Sequence, residues 1–238
     1  MLDNIPSMES IHQQRILRNV AEDMKTPFLR ILSQAQLGKI TQEVDLGFIE
    51  TTADAALKML DSFIISTQVY NGQQQLALQP VSVAAAMYDT TQYLHRLAQL
   101  QGCELEVRAP RSVGLAMANP LALQAALTGL GYSFIHALGK KTSKRQIIIF
   151  TAKLTKDGVQ AGIFSPELEM PAEALHQARR LKGNARQSMP GVMQGSGAGI
   201  LVADTLFEAM DATLKTARYR SGGGLVATLL PSHQLALL

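Results

Sequence analysis

The sequence predicts an α+β protein in which an N-terminal antiparallel helical hairpin precedes a C-terminal sheet layered with helices. Between residues 11 and 70, apolar residues recur at alternating spacings of three and four, which is the pattern of helices packed along a seam. From residue 80 onward, short β-forming runs alternate with helical patterns and turn residues, an order typical of mixed α+β domains. We therefore place a hairpin domain at residues 8–70, a linker at 71–79 and a layered domain at 80–234.

The overall composition argues against several functional classes. Of the 238 residues, 47% are hydrophobic and 17% charged, which is enough apolar material for a core. The net charge is +3 with scattered Lys and Arg, so we expect no nucleic-acid surface, and we interpret Arg179-Arg180-Leu181-Lys182 as a solvated loop or helix end. No window approaches the ~20 apolar residues of a membrane span. Cys103 is the single cysteine, so no internal disulfide forms, and we expect a cytoplasmic protein without membrane insertion.

The first helix is predicted from about Ser10 to Leu37. Its apolar residues form two sets seven apart, namely Leu17, Met24 and Ile31, and Ala21, Phe28 and Ala35. Pro27 lies inside this helix, where it removes one backbone hydrogen bond and should introduce a kink. Glu22 lies beside the seam and should face solvent or a docked partner.

The second helix is predicted to follow a tight turn, with Gly38 ending the first helix and Thr41 capping the next. It runs to about Tyr70, with a seam of Leu46, Ile49, Ala53, Ala56, Leu60 and Phe63. One hairpin cannot cover both of its apolar stripes, so we predict a homodimer that forms a four-helix bundle. The alternative is a hairpin folded onto its own C-terminal domain.

The C-terminal elements follow from periodicity and turn residues. Strands are predicted at 105–109 and 113–118, and helices at 83–100 and from the cap Asn119 to Leu138. A hairpin of 146–151 and 159–164 turns at Asp157-Gly158. A helix at 173–182, a loop at 183–195 and a helix at 198–209 precede a last hairpin, 212–218 and 225–230, turned at residues 221–224.

Residues 19–32 resemble the phosphoacceptor helix of sensor histidine kinases, whose motif reads Ser-His-Glu-Leu-Arg-Thr-Pro-Leu-x-x-Ile. In a gapless alignment Glu22 takes the place of the histidine, and Thr26 and Pro27 are identical to the motif. Asp23 and Lys25 replace a glutamate and an arginine conservatively. In that family this surface docks the response regulator, so the resemblance implies a partner surface at Glu22, Asp23, Lys25, Thr26 and Pro27.

The C-terminal half resembles the ATP-binding fold shared by histidine kinases, DNA gyrase, a chaperone and a mismatch-repair protein. Residues 76–81 are similar to the short strand that opens this domain in the kinases, so the resemblance implies a strand there. The strongest match is the run from Gly195 to Ala203, which is similar to the family's Gly-Thr-Gly-Leu-Gly-Leu-Ala-Ile-Val. Alternate glycines let a backbone approach phosphates, and the helix that follows adds its positive dipole end. The resemblance therefore implies a nucleotide pocket at Gly195, Gly197 and Gly199.

Two other nucleotide contacts of that family are missing. The first expected asparagine falls on Gly129, and the second, which holds magnesium in the family, falls on Ser133, a poorer ligand. Phe134 follows, where a ring would press on the pocket. The adenine-binding aspartate falls on Ser165, and we interpret the next residues, Pro166 and Glu167, as the start of a helix.

These departures predict a catalytically inactive histidine-kinase-like protein that acts as a dimeric regulatory module in two-component signalling. Glu22 at the acceptor position leaves no catalytic residue, and no histidine pair has metal-ligand spacing. We expect no resident cofactor, although weak binding of ATP or ADP and Mg stays open. The expected partners are a second copy and a response regulator or a phosphotransfer or kinase protein. Two alternatives stay open: a phosphotransfer protein or kinase that uses another histidine such as His12 or His136, and a nucleotide-binding switch without phosphoryl transfer.

Overall fold

The structure is a computed structural model that describes residues 8–110, 113–139, 146–168, 170, 175, 179, 197–219 and 222–232. Side chains are described from residue 21 onward, except at 22 and 23. The helices are α1 (Met8–Thr41), α2 (Leu46–Tyr70), α3 (Val83–Leu100), α4 (Pro120–Leu138) and α5 (Ala198–Glu208). The strands are β1 (Gln79–Val81), β2 (Cys103–Arg108), β3 (Ala116–Ala118), β4 (Gln146–Thr155), β5 (Gly158–Ser165), β6 (Lys215–Tyr219) and β7 (Gly222–Leu229).

Five strands form a mixed sheet in the order β2-β4-β5-β7-β6. The β2–β4 pair is parallel and the other pairs are antiparallel. The short strands β1 and β3 form a separate antiparallel pair. Helices α3 and α4 pack on the sheet, and α5 packs on α4. The predicted α+β class is confirmed, with helices layered on one mixed sheet.

Helix α4 is the central element of this layer. Asn119 caps it as predicted, because its side chain accepts a hydrogen bond from the Ala122 N–H at 3.0 Å, and Pro120 occupies the first turn. The length and apolar composition of α4 would suit a membrane span, which the sequence reading had not recognised. However, 78% of its apolar window is buried inside the fold, as expected for a core helix.

The turn between α1 and α2 differs from the prediction. Helix α1 continues past Gly38 to Thr41, whose hydroxyl donates to the Leu37 carbonyl at 3.0 Å. The chain reverses at residues 42–45, and Asp45 is the true N-cap, accepting from the Phe48 N–H at 2.9 Å. Gly38 is buried beneath Val44, so it allows a close approach of the turn and does not end the helix.

The hairpin packs on its own C-terminal half. Helix α2 contacts α3, α4 and α5, and α1 contacts α5. The residues of α2 that this packing buries are Thr52, Ala55, Ala56, Met59, Ser62 and Ser66. Of the predicted seam only Ala56 is among them, and Leu46 is 72% exposed. Leu60 and Phe63 of that seam are partly buried against the core. Within one chain α2 therefore buries mainly small residues beside the predicted seam, and these allow α2 to lie close to the layered half.

Two other predicted turns also differ from the structure, and there too glycines lie where another segment approaches closely. The β4–β5 hairpin turns at residues 156–157, and Gly158 already opens β5. Gly222, Gly223 and Gly224 lie inside β7, although they were predicted to form its turn. They pair with β6 on one side and with the end of β5 on the other. A side chain at Gly222 would overlap the Ser165 carbonyl, so these glycines serve a crowded central strand.

Candidate functional site

The candidate site lies where α4 meets the first turn of α5. A Cβ atom placed on Gly129 would lie 2.7 Å from the Gly199 carbonyl oxygen, and one placed on Gly199 would lie 2.5 Å from Ser133 Oγ. The two helix backbones are thus in direct contact at the positions where the resemblance places the family's two asparagines. No side chain, asparagine included, fits at Gly129 without separating the helices.

The glycine turn leads into α5, which begins at Ala198 as the sequence predicted. Gly197 has φ +69°, a left-handed conformation that favours glycine, and it is the N-cap of α5 without a side-chain cap. The N–H groups of Ile200 and Leu201 both donate to its carbonyl at 3.1 Å. Gly195 lies outside the described residues. The described part of the turn therefore starts α5 at Gly197, while α4 occupies the space beside Gly199.

The segment after β5 has a different role from the adenine-binding aspartate of the resemblance. Ser165 is fully buried, and its hydroxyl donates to Glu167 Oε2 at 2.7 Å while accepting from the Glu167 N–H at 3.3 Å. Pro166 and Glu167 form a turn, so the predicted helix start at this point is wrong. The Leu168 carbonyl then accepts from the Gly223 N–H at 2.7 Å, which ties this turn to β7. Ser165 is thus engaged within its own turn.

Phe134 does not face the glycine turn. It is fully buried and belongs to an apolar stripe that recurs every three or four residues along α4, with Leu123, Leu127 and Leu130. Gly129 and Ser133 lie on a neighbouring face of the helix. The ring therefore fills the core and leaves the contact between α4 and α5 to glycine and serine.

The acceptor-like segment of α1 is only partly accessible. The helix continues through Pro27 without interruption. Pro27 and Met24 are buried, Thr26 is half-buried and Lys25 is exposed. The side chains of Glu22 and Asp23 lie outside the described residues. Of the five predicted partner-binding residues, Pro27 therefore shapes the packing of α1 and offers little surface to a partner.

An ion pair between Arg179 and Asp204 of α5 was not predicted from the sequence. The Arg179 guanidinium donates to both carboxylate oxygens of Asp204, with Nε–Oδ2 at 2.9 Å, and to the Leu214 carbonyl at 2.9 Å. The hydrogen bond to Asp204, which is only 6% exposed, raises the pKa of Arg179. The expectation that this arginine is solvated is therefore wrong. A buried aspartate in α5 was the available signal, because a buried carboxylate requires a partner.

The histidines and acids do not assemble a second centre in the described part of the chain. His136 packs against Tyr132 with ring centroids 4.4 Å apart, and His95 is exposed. The side chain of His12 lies outside the described residues. Among the residues that the structure describes, no three His, Cys, Asp or Glu side chains cluster as metal ligands.

Known structures share this fold. The histidine kinase AdeS of Acinetobacter baumannii superposes with a TM-score of 0.56 at 11% identity, covering 89% of this chain and 98% of that one. Full-length ShkA in complex with AMPPNP gives a TM-score of 0.59 at 14% identity, covering 98% of this chain and 48% of ShkA. The catalytic domain of the histidine kinase ThkA gives 0.52 at 10% identity, covering 64% of this chain and 95% of that domain. No protein-family model and no curated protein matches the chain. The chain thus has a histidine-kinase-like fold, in both the hairpin and the layered half.

Proposed function

We propose that this chain is a catalytically inactive, histidine-kinase-like module that regulates a cytoplasmic two-component pathway through protein contacts, as a homodimer. The observation that carries the proposal is the contact between Gly129 and Gly199. An asparagine at the first of these positions would need the space that the Gly199 carbonyl fills. The sequence therefore departs from the family pattern in its packing as well as in the side chain at residue 129, because the neighbouring helix fills the space that an asparagine would need.

The other departures point the same way. Glu22 occupies the acceptor place in the alignment, and a carboxylate cannot form phosphohistidine. Ser165 is buried and bonded to Glu167, which leaves it unsuited to bind an adenine amino group. A charge-assisted hydrogen bond of that kind contributes about 1.5–3 kcal/mol, so its absence weakens nucleotide binding by roughly ten- to a hundredfold.

An exposed apolar stripe on the hairpin supports the dimer. Phe28, Leu29 and Leu32 of α1 are 57%, 63% and 53% exposed, and Leu57 and Ile64 of α2 are 60% and 50% exposed. Exposure of such apolar side chains to water is unfavourable. Each Å² that a partner covers stabilises the complex by about 25 cal/mol. A second copy of the hairpin presents the same stripe, so a four-helix bundle would cover both. The exposed Lys25 lies on the same helix, where a response regulator would dock.

The nucleotide part of the proposal is tested with γ-labelled ATP and magnesium. We expect no acid-labile label on the chain and no thermal shift with ATP at about 1 mM, since a ligand with Kd near 10 μM would stabilise by about 2.7 kcal/mol at that concentration. An active histidine kinase serves as the positive control. Label on His12 or His136 would favour the phosphotransfer alternative. A clear thermal shift that Gly197→Val removes would favour the nucleotide switch.

The dimer part is tested by sedimentation. The wild-type chain should sediment at twice its mass at micromolar concentration, and Phe28→Glu should sediment as a monomer, because an unpaired charge in a packed seam costs several kcal/mol. Leu154→Glu is the matched control, since Leu154 is 60% exposed on β4, away from the hairpin. A monomeric wild-type chain would contradict the proposal.

The partner is tested with isolated response-regulator domains from the same genome. Binding should be lost or weakened in Lys25→Glu, which reverses one exposed charge on α1, and kept in Lys153→Glu, which reverses an exposed charge on β4. Equal binding by both variants would show that the partner binds at a surface other than α1.

A further inference from the structure

A cavity lies where the hairpin meets the layered half. It is half open to solvent, is lined by α2, α3 and α4, and has a volume of about 400 Å³, within the range of small-molecule sites. Its apolar wall includes Ile65 and Ala125, with Ile64 and Leu121 at the exposed edge. This cavity lies on the α2 side of α4, and its lining does not include Gly129, Ser133 or Gly199.

Polar groups with unused hydrogen-bonding capacity line the same cavity. Thr128 is only 7% exposed, and its hydroxyl has no hydrogen-bond partner among the described residues. The Gln124 amide also has none in that part of the chain. The Thr128 hydroxyl is not a fully buried unpaired group. It lines the cavity, where it can bond water or a ligand.

Two opposite charges lie one helical turn apart on the α2 wall. The Lys58 ammonium lies 5.5 Å from the centre of the Tyr93 ring, and the Asp61 carboxylate follows three residues later. Neither forms an ion pair with any residue that the structure describes. Tyr93 is held in place by a hydrogen bond from its hydroxyl to Asp54 Oδ2 at 2.6 Å. The cavity therefore has an exposed cation and an exposed anion among its lining residues, beside an apolar wall.

We propose that this cavity binds a small zwitterion with an apolar side chain, of the amino-acid class. The carboxylate of such a ligand would pair with Lys58 and its ammonium with Asp61, while the side chain packs on Ile65 and Ala125. A simple anion would be repelled by Asp61 and a simple cation by Lys58. The Thr128 hydroxyl and the Gln124 amide supply further hydrogen bonds to the ligand's polar end.

Binding there has a structural consequence. The cavity exists only while α2 lies on α3 and α4, so the ligand binds the docked hairpin and not a detached one. A ligand with that preference shifts the equilibrium toward the docked arrangement. A small molecule bound at this site would thus stabilise the docked position of the hairpin. This effect does not depend on the loss of catalysis proposed above.

The test is calorimetric titration of the full chain with L-phenylalanine and L-leucine. We expect binding to the wild type, and at least about tenfold weaker binding to Asp61→Asn and Lys58→Met, since each loses a charge-assisted hydrogen bond. N-acetyl-L-phenylalanine amide, which carries neither charge, should not bind. Lys153→Met, which removes an exposed lysine on β4, should bind as the wild type does.

Hydrogen exchange gives the second readout, because L-phenylalanine should slow amide exchange in α2 and α3 of the wild type and not of Asp61→Asn. Should a charge variant fail to fold, Thr128→Val, which keeps the shape of the side chain, replaces it and should also bind more weakly. Absence of binding by either amino acid up to about 10 mM, or equal affinity of wild type and folded cavity variants, overturns the proposal. Binding of the uncharged amide as tightly as the free amino acid does so as well.

Discussion

The sharpest prediction concerns Gly199, because one methyl group tests the contact on which the proposed loss of catalysis rests. In Gly199→Ala the new Cβ atom would overlap the Gly129 carbonyl oxygen and lie 2.5 Å from Ser133 Oγ. Ordinary contacts need about 3.5 Å. The serine hydroxyl can rotate away, but a backbone carbonyl inside a helix cannot. The helices α4 and α5 must therefore separate by about 1 Å.

The magnitude follows from two opposing effects. Overpacking of a closed contact costs typically about 1–3 kcal/mol, and an immovable backbone partner places this case in the upper half of that range. Alanine gains up to about 1 kcal/mol over glycine in a helix, which offsets part of the cost. The free energy of unfolding should fall by about 1–2 kcal/mol, which for a chain of 238 residues lowers Tm by roughly 2–8 °C.

Urea denaturation followed by circular dichroism measures the change, and Gly47→Ala is the matched control. Gly47 lies in the first turn of α2, where a Cβ atom would meet its nearest neighbours, Arg96 and Asp45, at an ordinary 3.4 Å. This control should leave stability unchanged or raise it. In the double variant Gly199→Ala with Ser133→Ala, little of the loss should be recovered, because the immovable Gly129 carbonyl remains. If Gly199→Ala is as well tolerated as Gly47→Ala, the two helices do not touch and the site has room for an asparagine.

Three further predictions concern other contacts. Tyr93→Phe removes the hydroxyl that donates to Asp54 and should weaken docking of the hairpin by about 1–2 kcal/mol. Amide exchange in α2 should become faster, and unchanged exchange would show that this bond does not hold the helix. Arg179→Met leaves the buried Asp204 without its partner and should destabilise by about 2 kcal/mol in urea titration; equal stability would mean that water replaces the arginine. Burial raises the pKa of Cys103 to about 11, so the folded thiol should resist alkylation at pH 8 until the chain is denatured. Because the folded pKa is the higher one, the thiol's contribution to stability is complete below about pH 9 and decreases as pH rises toward 11.

Much of the fold was predictable because local patterns specify it. The bounds of α3, the Asn119 cap of α4 and the start of α5 at Ala198 depend on nearest-neighbour chemistry that is visible in the sequence. Turns were less predictable. Gly38 and Gly222 both resembled turn residues, and both proved to be places where another segment approaches too closely for a side chain. A glycine does not reveal from sequence alone which of these two reasons applies.

The candidate site was likewise only partly predictable from the sequence. The sequence by itself determined which residues stand at the acceptor, magnesium and adenine positions, since an alignment needs only their order. It could not determine that Gly129 and Gly199 touch or that Arg179 reaches Asp204, because each of these pairs joins segments far apart in the chain. The bond from Ser165 to Glu167 is local, but it depends on a turn that the sequence analysis had interpreted as the start of a helix. The apolar stripes of the hairpin were equally visible in the sequence, but the face of α2 that is buried was decided by small side chains fitting against α4 and α5. Periodicity identifies a face that can be buried, and only the shape of the opposing surface decides which face is.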